Sequence, residues 1–482
     1  MRGLWVTLSA LGIAVTVSAD EATDALRKEF EAYKAASEAR IQSLEGQITN
    51  RTDLTQSEID ELRIFAERGT FDFEFQGYLR AGYGVDGQGN AQAEFKAPNA
   101  ESKYRLGNEA ETYLETIFVA KTPPEMTGSK DKKFETQIRL AYSVPSSNNA
   151  NYDSTFSLRE AYGTASGLFA DNPTATWWAG QRFYSRIQVH MTDFWYRDMS
   201  GYGGGIENVA VGDDTAKVGL AWIGGSIDEL NSDGSVIVNP SGQLRKDSID
   251  LSLTEIDSLG GELRVLLTYA YFDGDDIESA TQTNTVNNSH GGAINIFQIN
   301  EFENDIQNLT ALQYGTASAY NFKAVLAAPT GFSTANLNDD VDTSEWQQFR
   351  IVEDINYDAN KKFSGSATAV YQYTYLGDVP MNTVHWTSLG IRPVYHFNRY
   401  YSFATEAGWD YTDQKGGDSG SLFKLTFAPQ ITPEMSVLSR PALRAFITYA
   451  WWSDDFKGAV GSTTHQDKTA GLSAGVQMEA WW

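Results

Sequence analysis

The sequence predicts an all-β chain closed into a membrane-spanning antiparallel barrel, preceded by a short helical segment. Three observations carry this expectation. From Phe71 onward apolar residues recur with period two in runs of about ten, as in "LRVLLTYAYFDG" (263–274), "SATAVYQYTYLGD" (366–378) and "PALRAFITYAWWSDD" (441–455), each bounded by Gly, Asp, Asn or Pro. The first residues, "MRGLWVTLSALGIAVTVSADEA", carry one early cation, an apolar run from Leu4 to Val17 and a small-residue site ending at Ala19, the pattern of a signal peptide cleaved before Asp20. Beyond it no stretch approaches the ~18 apolar residues of a membrane helix, so an exported membrane protein with this sequence has to cross with strands, which satisfy their backbone in lipid only when closed. The third observation is the ending "GVQMEAWW", an alternating segment finishing on two indoles, which would be an aggregation hazard unless another strand pairs with it.

Each segment has its own physical reason. Residues 1–19 are the expected signal peptide. Residues 20–69 lack proline and repeat Leu26, Phe30, Tyr33, Ile41, Leu44 and Ile48 at helical spacing, a narrow apolar stripe that asks for partner helices and so for a coiled coil. Thr55 with Glu58 forms a capping box for a second short helix, and Gly69 stops it. Residues 70–482 are then the barrel. In 441–455, Leu443, Ala445, Ile447, Tyr449 and Trp451 fall on one face and Arg444 and Thr448 on the other, the division that lipid outside and water inside would select. A soluble sandwich shows the same alternation, so period alone leaves that alternative open. The stretches 224–247 and 272–292 read as polar outward loops.

Composition narrows the function. Aromatics at 13% with 42 Gly and 12 Pro favour strands and turns. The absence of cysteine excludes disulfides, thiolate metal sites and a cysteine nucleophile. A net charge of -26 offers no footprint for nucleic acid. None of the five histidines, His190, His290, His385, His396 and His465, sits in a metalloprotease or nucleophile-elbow pattern, so no enzyme, cofactor or metal is expected. "FDGDDIE" (272–278) is acidic but lacks the carboxylate order of a calcium loop, and "GYGGG" (201–205) follows "DMS" rather than an apolar strand, so it reads as a turn and not a nucleotide fingerprint.

Six stretches, in order, resemble the maltoporin family, the sugar-specific porins of Gram-negative outer membranes: "FEFQGYLRAGYG" (73–84), "SKYRLGNEAETYLET" (102–116), "WAGQRFYSRIQVHMTDFWYRDMSG" (178–201), "LGIRPVYH" (389–396), "SRPALRAFITYA" (439–450) and "GVQMEAWW" (475–482). The resemblance implies a homotrimer of eighteen-stranded antiparallel barrels in the outer membrane, each pore narrowed by an infolded loop. It also implies that the last strand pairs with the first near Tyr78, that the terminal aromatic is read by the outer-membrane assembly machinery, and that the other indole faces the pore. The N-terminal coil is similar to the periplasmic extension of the related sucrose porins.

By the same resemblance, sugars slide along aromatic side chains beside a charged track. Tyr78, Tyr113, Tyr152 and Trp481 are the expected slide. Arg80, Arg105, Glu115, Arg159, Arg186, Asp193, Trp195 and Asp198 are the expected track and constriction, with Gln188 where the family has an aspartate. Leu438 and Gln307 depart from the family's rings, which thins the slide. Trp451 and Trp386 read as lipid-facing girdle residues. Sugar C–H faces stack on rings while rim hydroxyls exchange hydrogen bonds between Arg and carboxylates, each contact weak enough to let go. The rival function is a general-diffusion pore with a structural coil.

Overall fold

The computed structural model describes residues 71–482 apart from 110, 145–154, 213–214, 228, 231–235, 238–243, 275, 279–282, 286, 303–304, 325–341, 361, 379–380 and 462, together with scattered helical positions between Lys28 and Gln42. The signal sequence, the apolar stripe, the capping box and Gly69 lie outside the described residues. Two compact units are distinguished, and the larger, Phe73–Lys121 with Lys130–Trp482, holds the sheet.

Its strands are β1 (Asp72–Asp86), β2 (Thr112–Lys121), β3 (Lys133–Val144), β4 (Thr155–Ser166), β5 (Thr176–Arg182) and β6 (Gly201–Val211). They continue with β7 (Ala216–Ile227), β8 (Leu244–Ser258), β9 (Gly261–Asp273), β10 (Ser289–Phe302), β11 (Ile306–Thr316) and β12 (Trp346–Asn360). The last six are β13 (Phe363–Leu376), β14 (Thr383–His396), β15 (Tyr401–Gln414), β16 (Ser419–Ile431), β17 (Ala442–Trp452) and β18 (Ala470–Trp481). Each pairs with its sequence neighbours in one 18-stranded sheet, and β18 pairs antiparallel with β1, opposing Trp481 to Tyr78 and Glu479 to Arg80. The sheet is therefore a closed barrel with no free edge strand, which is what the terminal alternating segment requires.

The strand faces divide as the period demands. Along β17 every second residue is exposed, including Leu443, Ile447, Tyr449 and Trp451, while Arg444, Phe446, Thr448 and Trp452 are buried inside. Trp451 stacks on Phe423 of β16, ring planes 9° apart, on the outer face. Trp386 overturns the girdle expectation: it is fully buried and its indole N–H donates to Asp410 at 2.9 Å. Alternation puts Trp386 on the inward face with Ser388, Arg392 and His396, opposite Leu389 and Ile391, and its full burial comes from the loops that fill the lumen. The "GYGGG" turn is also overturned, since these residues open β6. A Cβ on Gly203 would lie 2.0 Å from the Trp222 carbonyl, so glycine here serves close strand approach. Likewise the polar stretches expected as loops supply strand ends, 224–227 and 244–247, and 289–292 begins β10.

The described parts of three connections fold into the lumen: residues 87–109 after β1, 183–200 after β5 and 317–324 after β11. They bring Phe95, Tyr104, Val189, Met191 and Tyr196 against wall residues such as Phe297, Val352 and Trp386, making an apolar core inside the barrel. The Tyr104 ring lies where Gly390 and Gly408 leave room, since a Cβ at either would come within 2.1 Å of it, and its hydroxyl is 2.8 Å from Ser388.

Candidate functional site

The opposite side of the lumen, along β18, β1 and β2, keeps partly exposed rings. Trp481, Tyr78 and Tyr113 stand on these three successive strands. The Tyr78 and Tyr113 rings are 6.2 Å apart, and the Arg80 guanidinium lies 5.2 Å from the Tyr113 centroid. Tyr152 lies outside the described residues.

Charged groups surround this strip. Arg80 pairs with Glu111 at 2.6 Å and with Asp193 at 3.1 Å, and Arg105 pairs with Glu109 at 2.9 Å and Glu479 at 3.0 Å. Arg105 also donates to the Tyr78 hydroxyl at 2.8 Å, and that hydroxyl donates to Glu479 at 3.1 Å. Gln188 donates to Asp193 at 3.2 Å. Burial alone would raise the Asp193 carboxyl, but Arg105 and Arg80 hold it below its ordinary value. The loop 183–200 also carries His190, whose Nδ1 is 3.1 Å from Arg105 and whose Nε2 is 2.9 Å from Arg440. Burial, reinforced by Arg105, pushes its pKa well below the usual value, so the imidazole is neutral at physiological pH.

A second group continues from the strip. Tyr113 donates to Glu115 at 2.6 Å, and Arg139 bridges Glu115 at 2.7 Å and Glu160 at 2.5 Å. A bulge between β3 and β4 pairs Arg139 with Glu160 and Leu140 with Leu158, leaving Arg159 as the extra residue. The Phe183 ring then meets three guanidiniums, Arg186 at 3.9 Å, Arg139 at 4.9 Å and Arg159 at 5.8 Å. Arg186 is held between Phe183 and Trp195, 3.8 Å from the latter's centroid, and pairs with Asp198 at 3.2 Å.

All the expected track residues therefore fall into one of two linked clusters inside the barrel. Sequence reasoning missed Glu479, Arg440, Glu109, Arg139, Glu160 and Phe183. Glu479 was within reach of the argument, since it lies two residues before Trp481 and shares its face; Arg139 and Glu160 were not, because the bulge breaks the count. The departures Leu438 and Gln307 line one cavity of about 500 Å³ at the barrel end carrying the short turns, together with Asp358 and Met435. Among the described residues no group of side chains with metal-ligand composition is present, and part of "FDGDDIE" lies outside them.

The chain is similar to two solved structures. OccAB1 of Acinetobacter baumannii is 13% identical, covering 85% of this chain and 96% of that one, with a TM-score of 0.44. OccK9 of Pseudomonas aeruginosa is 11% identical over 85% and 98%, with a TM-score of 0.45. The LamB porin family model matches residues 73–482, the whole of the closed barrel. With an 18-stranded wall, infolded loops and that match, the chain belongs to the LamB porin family of outer-membrane channels.

Proposed function

We propose that this porin carries neutral oligosaccharides by facilitated diffusion, along a slide of Tyr113, Tyr78 and Trp481 and a polar track running from Arg80 and Arg105 to Arg186. The carrying observation is the juxtaposition of this ring strip with guanidiniums that already have carboxylates at ion-pair distance. Rings offer C–H stacking surfaces, and matched charges offer donors and acceptors to hydroxyls without a net field that would select an ion. Leu438 and Gln307, which thin the slide relative to the family, line a cavity apart from the strip, so the reading includes weaker affinity for long maltodextrins.

The remaining parts of the reading rest on sequence: cleavage before Asp20, a periplasmic coiled coil over 20–69, a homotrimer embedded in outer-membrane lipid, assembly through the C-terminal strand, and no catalysis. The test is ion current through the reconstituted protein titrated with maltose, sucrose and longer oligosaccharides. Concentration-dependent block with saturation supports the reading. Permeation ranked by size alone in liposome swelling, with no block, would leave a general-diffusion pore.

A further inference from the structure

The Trp481 indole does not stand free on the wall. The guanidinium of Arg440, from the turn between β16 and β17, lies 4.3 Å from its ring centroid, and the His190 ring meets it edge-on at 5.6 Å and 88°. The Arg440 side chain is itself 1% exposed and held on several sides: it pairs with Glu479 at 2.5 Å, approaches His190 at 2.9 Å, and donates to the carbonyls of Ser439 at 2.9 Å and Val437 at 3.3 Å. Glu479 is held in turn by Arg105 and Arg444, each at 3.0 Å. We infer that Arg440 is a positioning residue of the slide, a planar cation clamped beneath Trp481 so that the indole presents a single fixed face to the passing sugar.

The physical argument has two parts. Arg440 has little left to offer a ligand, since only its Nε lacks a partner and that atom is buried. A guanidinium held over an aromatic ring by several hydrogen bonds restrains the ring's tilt through a cation–π contact, which the single-point charge of an ammonium does less well. Freezing the indole before the sugar arrives removes an ordering cost from each binding event.

The inference rests on the slide reading, and a double-mutant cycle separates the two. Half-blocking oligosaccharide concentration is measured for wild type, Arg440→Gln, Trp481→Ala and the double variant, each relative to its own open-channel current. Trp481→Ala and Arg440→Gln should each raise it several-fold, and the double variant should be no worse than Trp481→Ala alone. Arg440→Lys, which keeps the charge beside Glu479 and loses the plane, should shift block in the same direction by less, and it serves where Arg440→Gln fails to assemble. Additive effects, or wild-type block in Arg440→Gln or Arg440→Lys while Trp481→Ala is impaired, overturn the positioning role and leave the slide standing. Unchanged block in Trp481→Ala overturns the slide itself and the inference with it.

Discussion

Two halves of the same lumen use arginine and aromatic side chains for opposite ends. Against β8–β17 the infolded loops are packed and bolted. Arg197 is fully buried against Asp250, Arg350 donates to the Tyr196 carbonyl at 2.9 Å, and Glu406 receives Arg392 at 2.5 Å, Lys424 at 2.7 Å and the backbone N–H of Leu106 at 3.1 Å. Against β1–β5 several pairs keep water contact, with Arg80 at 16% and Arg139 at 21% exposure, although Arg105, Arg440 and Glu479 beside them are buried. The same ion-pair chemistry is scaffolding where solvent is excluded and an exchangeable surface where it is not. The packed half therefore holds the loops in place, and the wetter half is the surface on which the proposed slide and track lie.

The largest expected effect falls on the packed half. Glu406→Ala strands Arg392 and Lys424 in a buried site and should cost about 3–5 kcal/mol, read as a lowered denaturant midpoint of the folded barrel. It should also add current noise, because Leu106 adjoins Arg105 of the track; quiet, wild-type channels from a Glu406→Ala protein would break the division of labour. Trp386→Phe removes the indole donor from Asp410 and should cost about 1–3 kcal/mol by the same measurement, with block by sugar little affected. A change in block at full stability would move Trp386 to the binding half.

Smaller effects sharpen the wet half. Arg186→Ala removes one cation beside Phe183 and Trp195, and the reversal potential in a salt gradient should shift toward cation preference by a factor of about two in permeability ratio. Least of all is the expected effect of pH. Because His190 is neutral well below its ordinary titration range, sugar block should vary less than about twofold between about pH 6 and about pH 8. A sigmoid change centred near the ordinary histidine value would place His190 in water instead of between Arg105 and Arg440.

Much of this was legible in the chain. Period two along β9, β13 and β17 fixes which residues face lipid, because successive side chains must alternate, and the terminal "EAWW" implies a closing partner because an open edge is not tolerated in a membrane. The residues proposed for the track were named through family resemblance, and the parity of β18 already placed Glu479 beside Trp481. What only the tertiary structure decided is which inward-facing residues stay wet. Trp386 and Trp481 both point inward, yet one is sealed under loops and the other lines the open strip. The bulge that brings Arg159 and Glu160 in together, the strand role of "GYGGG", and the clamp of Arg440 on an indole 41 residues away in sequence all depend on register and on loops crossing the lumen. Local pattern fixes a side chain's direction from the strand; its surroundings are set by segments far away in the chain, and alternation carries no information about those.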